Sequence, residues 1–109
     1  MHQQKLQDIK SYLSAQFNLP AEQIDMMLPS FIMTLSGHMQ SLEEALAENN
    51  PLILGKIGHT IKGAFLNLGL DDCAQIALRI EERGKADDHA TNYKQLVEDL
   101  RLKIKPVLE

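Results

Sequence analysis

Leu52-Ile-Leu-Gly55-Lys56-Ile-Gly58-His59-Thr-Ile-Lys62-Gly63-Ala-Phe65-Leu66-Asn-Leu68 is the stretch on which the reading of this chain turns. Asn50-Pro51 before it is an N-cap followed by a first-turn proline, and Gly69 after it can supply a left-handed C-terminal cap. The stretch is therefore one helix. Ile53, Ile57, Ile61, Ala64, Phe65 and Leu68 recur at spacings of three and four and form the stripe expected to be buried. Leu52 and Leu66, seven residues either side of His59, are left on the outer face beside it. Gly55, Gly58 and Gly63 each cost on the order of 1 kcal/mol relative to Ala in a helix interior, so each calls for a packing or access reason. Gly55 and Gly63 lie four residues either side of His59, and the expectation is that both clear space around the imidazole.

The flanks repeat the helical period. Downstream, Asp71 or Asp72 can cap a helix, with Gln75 in the capping-box position relative to Asp72; Leu78 and Ile80 follow, and Gly84 is the expected stop. Lys85 to His89 reads as a polar connection. A last helix then starts near Thr91 and carries Tyr93, Leu96, Val97, Leu100, Ile104 and Leu108. Upstream, Leu6, Ile9, Leu13 and Phe17 make a stripe over Lys5 to Phe17, ended by Asn18. A long helix runs from Pro20 and Ala21 to Leu46, where Asn49 and Asn50 stop it, and Pro29 should kink or split it. Met26, Met27, Met33 and Met39 are expected mainly to fill core gaps, with some reaching the outer surface. The fold class is all-α: an up-and-down antiparallel four-helix bundle with an additional N-terminal helix, forming one domain over residues 1–109.

Composition agrees and excludes several functions. The chain has 109 residues, 44% hydrophobic and 24% charged, enough for one core and one domain. Its formal charge of −4 is the wrong sign for a general nucleic-acid or anionic-membrane binder. No stretch approaches the roughly 18 apolar residues of a membrane span, and the polar first residues lack a targeting pattern, so a cytoplasmic monomer is expected. Cys73 is the single cysteine, which rules out an internal disulfide and a multi-cysteine zinc site; a buried small residue is its expected role. His2, His38 and His89 form no His-x-x-x-His or Glu-x-x-His pair, so no metal and no cofactor are assigned.

The charge is locally inverted around His59: no Asp or Glu occurs from Asn49 to Leu70, and Lys56 and Lys62 lie three residues either side. An exposed imidazole titrates ordinarily near 6.5, so near neutral pH a free ring nitrogen can attack phosphorus without a separate base. A neighbouring ammonium, that of Lys62, can pair with the phosphoryl oxygens.

The run His59-Thr-Ile-Lys62-Gly63-Ala-Phe-Leu-Asn67-Leu68-Gly69-Leu70 resembles the signature of histidine-containing phosphotransfer (HPt) domains: a His, Lys-Gly at the third and fourth following positions, and Leu-Gly at the ninth and tenth. The resemblance implies His59 as phosphoacceptor, Lys62 as its electrostatic partner and Gly63 as the residue that clears access. It implies a phosphorelay intermediate between receiver domains of response regulators or hybrid histidine kinases, with the Mg²⁺ brought by the receiver. Ala64, Phe65 and Leu70 depart from the small or hydroxyl residues frequent there, which bears on packing and partner preference. Nothing in the chain resembles a kinase ATP-binding domain or a receiver domain. Leu52, Lys56 and Leu66, with part of the helix carrying Met39, are the expected docking surface. The alternative is a helical adaptor that binds a signalling partner through the same face without accepting phosphate.

Overall fold

A computed structural model describes residues 2–108, with side chains from residue 4 onward. Five helices account for nearly all of it: α1 (His2–Phe17), α2 (Ala21–Ala47), α3 (Pro51–Asn67), α4 (Asp71–Lys85) and α5 (Tyr93–Leu108). No strand occurs among the described residues. The connections at 48–50, 68–70 and 86–92 are short enough that successive helices reverse direction and pack as neighbours, so α2 to α5 run up and down. α3 packs on α2 and, most extensively, on α4; α5 closes the bundle against α4 and α2, and α1 lies across α2 and α5. Among the described residues no helix is long and apolar enough to cross a membrane.

Local chemistry fixes the ends of α3. The Asn50 side chain accepts from the Ile53 amide at 3.3 Å, and Pro51 occupies the first turn, where its missing N–H leaves no gap in the ladder. At the other end Gly69 takes φ 74°, and the Leu70 amide returns to the Phe65 carbonyl at 2.9 Å. His59 therefore sits on a helix fastened at both ends.

Several boundaries differ from the sequence reading. α4 starts directly at Asp71 with no side-chain cap, so the Asp72–Gln75 capping box is not made; Asp71 and Asp72 instead lie in the first turn, where carboxylates complement the helix dipole. Gly84 does not end α4, which continues to Lys85 before Asp87 turns at φ 53°. α5 begins at Tyr93, after Asn92 accepts from the Gln95 amide at 3.1 Å. α2 passes through Pro29 as one helix and is not split.

The core joins one stripe from each helix: Ile9 and Leu13 from α1, Leu35 and Leu42 from α2, Leu54, Ile61 and Phe65 from α3, Ile80 from α4, and Leu100 and Ile104 from α5. Ile53, expected in the buried stripe, is 39% exposed, and Leu54 takes its place in the core. Phe17 is exposed at the end of α1 rather than buried. The methionines divide: Met39 is buried, whereas Met26 and Met33 face solvent. Cys73 is buried, and that burial pushes its thiol pKa up, which keeps it protonated and unreactive.

Candidate functional site

The site begins with the place where α3 and α4 touch. A Cβ on Gly55 would stand 2.8 Å from the Lys85 amide nitrogen and 2.9 Å from the Gly84 carbonyl carbon; one on Gly58 would stand 2.9 Å from the Glu81 nitrogen. On the facing helix a Cβ on Gly84 would lie 2.5 Å from the Gly55 backbone and from the Pro51 carbonyl oxygen. Backbone meets backbone at these positions, and only residues without a side chain permit it. The expectation that Gly55 opens the way around His59 is thus corrected: Gly55 faces α4 and serves the helix crossing. At Gly63, by contrast, nothing lies within 4 Å of a Cβ placed there.

This close crossing brings four ionisable side chains into one cluster at the edge of the seam. Glu81 of α4 is only 5% exposed. Its Oε2 lies 2.8 Å from His59 Nδ1 and 2.9 Å from Lys85 Nζ, and its Oε1 lies 2.6 Å from Lys62 Nζ. A carboxylate this buried needs opposite charge to remain ionised, and two ammonium groups supply it. Contact with Lys62 first, and then with Lys85 and His59, outweighs desolvation and lowers the Glu81 pKa from 4.5 to about 2. An ionised carboxylate only accepts hydrogen bonds, so His59 Nδ1 is the donor to Glu81, and in a neutral ring so held the lone pair is on Nε2. The His59 side chain is 64% exposed, with one ring nitrogen fixed to the protein and the other presented outward.

The other residues singled out from the sequence divide between the surface around the imidazole and the core. Leu52 and Leu66 are half-exposed, and Lys56 is exposed on the same outer face of α3. Met39 is excluded from that surface: at 4% exposure it belongs to the core, because α2 turns the stripe of Leu35, Met39 and Leu42 inward. Lys62 does not stand free beside the ring but is drawn down onto Glu81. His89 pairs with Asp87 in the α4–α5 connection, His38 lies partly buried on α2, and the His2 side chain lies outside the described residues. Among the described residues no group of three or more His, Cys, Asp or Glu could hold a metal ion.

Glu81 and Lys85 were not among the site residues expected from sequence, although a signal for Glu81 was present. The buried positions of α4 are Cys73, Ala74, Ile76, Ala77, Ile80, Glu81 and Gly84, a helical stripe with one carboxylate inside it. Such a residue requires cationic partners, and Lys85 four residues later is one of them.

Comparison with known families gives a match to the Hpt domain over residues 26–103. The chain belongs to the Hpt domain family. No curated protein and no solved structure matches it. The matched span opens in the second turn of α2, includes all of α3 and α4 and ends within α5, so the whole Glu81 cluster lies inside the Hpt domain and α1 lies before it. Membership gives this Hpt domain a phosphotransfer role in two-component signalling and receiver domains as its general class of partner.

Proposed function

We propose that this Hpt domain is a phosphorelay intermediate in which His59 takes a phosphoryl group from the phosphoaspartate of one receiver domain and passes it to the aspartate of another. The observation that carries this reading is an exposed His59 whose Nδ1 is held by an ionised carboxylate and whose Nε2 is free. Nε2 attacks the acyl phosphate; the N–P bond forms as the P–O bond to the aspartate breaks, and the electron pair leaves with that carboxylate. The hydrogen on Nδ1 stays in place and the positive charge gained by the ring is opposed by Glu81. Lys62 and Lys85 put two ammonium groups within the same cluster and favour the arriving phosphoryl charge. The receiver brings the Mg²⁺, and the protein supplies an oriented nucleophile.

Leu52, Lys56 and Leu66 surround His59 on the outer face and form the proposed docking surface, with Gly63 leaving room above the ring. The test is transfer from receiver domains charged with a small-molecule phosphodonor in Mg²⁺, followed by intact mass. An acid-labile, alkali-stable phosphoryl group is expected on the wild type and none on His59→Gln, with receiver binding retained. A receiver that binds the wild type without transferring to it overturns the relay and leaves an adaptor.

A further inference from the structure

The outer face that α4 and α5 form together takes no part in the arrangement around His59. It carries a shallow depression of about 560 Å³ between the two helices, lined by buried Ile76 on α4 and by Leu102 on α5. Leu102 is 68% exposed, more than either leucine beside His59. One exposed leucine is ordinary on a protein surface; what distinguishes this one is the charge around it. Because α4 and α5 run antiparallel, Asp72 and Lys103 share one end of the depression, and Arg79 and Asp99 share the other. The sign of charge therefore alternates around its four corners. Asp72, Arg79 and Lys103 form no ion pair among the described residues, and Asp99 accepts from Gln95 Nε2 at 2.8 Å.

We propose that this face is a self-complementary interface for a second copy of the chain, packed about a two-fold axis parallel to α4 and α5. Under that rotation α4 of each copy faces α5 of the other, so Asp72 meets Lys103 of the second copy and Arg79 meets its Asp99, each pair occurring twice. Opposite charges meet at every corner. Leu102 comes over Ile76 of the second copy, and each exposed leucine enters the depression of the other copy. The four helices then make an antiparallel bundle of their own, the packing that each protomer already uses internally. A two-fold axis across the helices also pairs opposite charges, but it sets Leu102 on Leu102 and depression on depression, which leaves a void. The pairing is independent of the relay reading. His59, Leu52, Lys56 and Leu66 are on α3, outside this face, so both imidazoles of the pair stay open. The monomer expected from the sequence is then the form that dilution leaves.

The experiment is sedimentation equilibrium of the full chain. At low salt, over about 10 µM to about 1 mM, a monomer–dimer equilibrium is expected with a dissociation constant on the order of 0.1 mM, the weak class that a small and mainly charged interface gives. Raising the ionic strength to about 0.5 M shortens the screening length and should weaken association severalfold. Arg79→Glu turns two attractive corners repulsive and should raise the dissociation constant about tenfold. Exchanging charges with Arg79→Glu and Asp99→Arg should restore the dimer, because opposite charges meet again. Exchanging them with Asp72→Arg and Arg79→Asp should not, since like charges then meet at every corner although the net charge is unchanged. Leu102→Glu should abolish the dimer, and unaltered thermal unfolding of the dilute variants shows that each still folds. A chain that stays monomeric to about 1 mM at low salt overturns the proposal. So does a dimer indifferent to Leu102→Glu and to both exchanges, or one restored by the 72–79 exchange and not by the 79–99 exchange. A monomer whose Leu102→Glu variant loses binding to a receiver domain overturns it as well, and assigns the face to that partner.

Discussion

The two faces of α3 use glycine for opposite purposes. Toward α4, Gly55 and Gly58 meet the facing backbone at distances that no side chain survives, and Gly84 answers them from the other helix. Toward solvent, Gly63 faces nothing at all. One face is closed so tightly that it can hold a buried Glu81 between two lysines, and the other is left open around the imidazole that Glu81 orients. The same residue type is thus a requirement of the fold on one side and unexplained by the fold on the other, and substitution separates the two.

The largest effect is expected at Gly84. In Gly84→Ala the new methyl would stand 2.5 Å from the Gly55 backbone and from the Pro51 carbonyl, atoms that no rotamer change can move. α3 and α4 must separate, at about 3 kcal/mol or more, the upper range for overpacking. Thermal unfolding should show this as a Tm lower by roughly 12 °C or more in a domain of this size. A Tm within a few degrees of wild type would break the contrast between the faces.

Acid tests the contents of the closed face. The Glu81 pKa falls from 4.5 to about 2 on folding, so its contribution is fully present above the unfolded value and is lost as pH falls from about 5 through 2. The shift corresponds to about 3 kcal/mol. Urea midpoints taken at intervals from pH 7 to 2.5 should decline across that window in wild type. In Glu81→Gln the starting stability is lower and the decline is shallower. Gly55→Ala comes next, because its methyl meets the Lys85 amide nitrogen and Gly84 carbonyl carbon at 2.8 and 2.9 Å. A net loss of about 1 to 2 kcal/mol is expected there, the clash being partly offset by the better helix propensity of Ala.

These effects also mark where the sequence was legible. The five helices and their antiparallel order followed from apolar spacing, and the ends of α3 from Asn50-Pro51 and Gly69, because those signals are local to the chain. The position of His59 on the outer face followed from the same periodicity. The partner of each glycine did not, since a glycine beside His59 in the helical net can face either the neighbouring helix or solvent. That choice depends on how α4 is rotated against α3. Met39 was misplaced for a related reason: on a helix with apolar residues over much of its circumference, spacing does not say which methionines face in, and α2 buries Met39 while exposing Met33 and Met26. Glu81 could have been found by asking why a carboxylate falls in the apolar stripe of α4.

The smallest expected change in stability carries the most information about function. Gly63→Ala introduces a methyl that touches nothing, at a helix-interior position where Ala is preferred by about 1 kcal/mol, so the variant should be as stable as wild type or slightly more so. Nothing within the chain then explains a glycine there. If a receiver must bring its phosphoaspartate up to Nε2 of His59, its surface has to pass directly over position 63, one helical turn beyond the ring. Gly63→Ala should accordingly slow transfer from a phosphorylated receiver, and Gly63→Leu should slow it much further. Phosphorylation by the small donor phosphoramidate, which needs no protein surface to approach, should change little in either. Unequal losses of this kind place the demand for glycine in the complex rather than in the fold. Equal losses with both donors would instead mean that position 63 acts on the imidazole itself, and that the open face is not where the receiver sits.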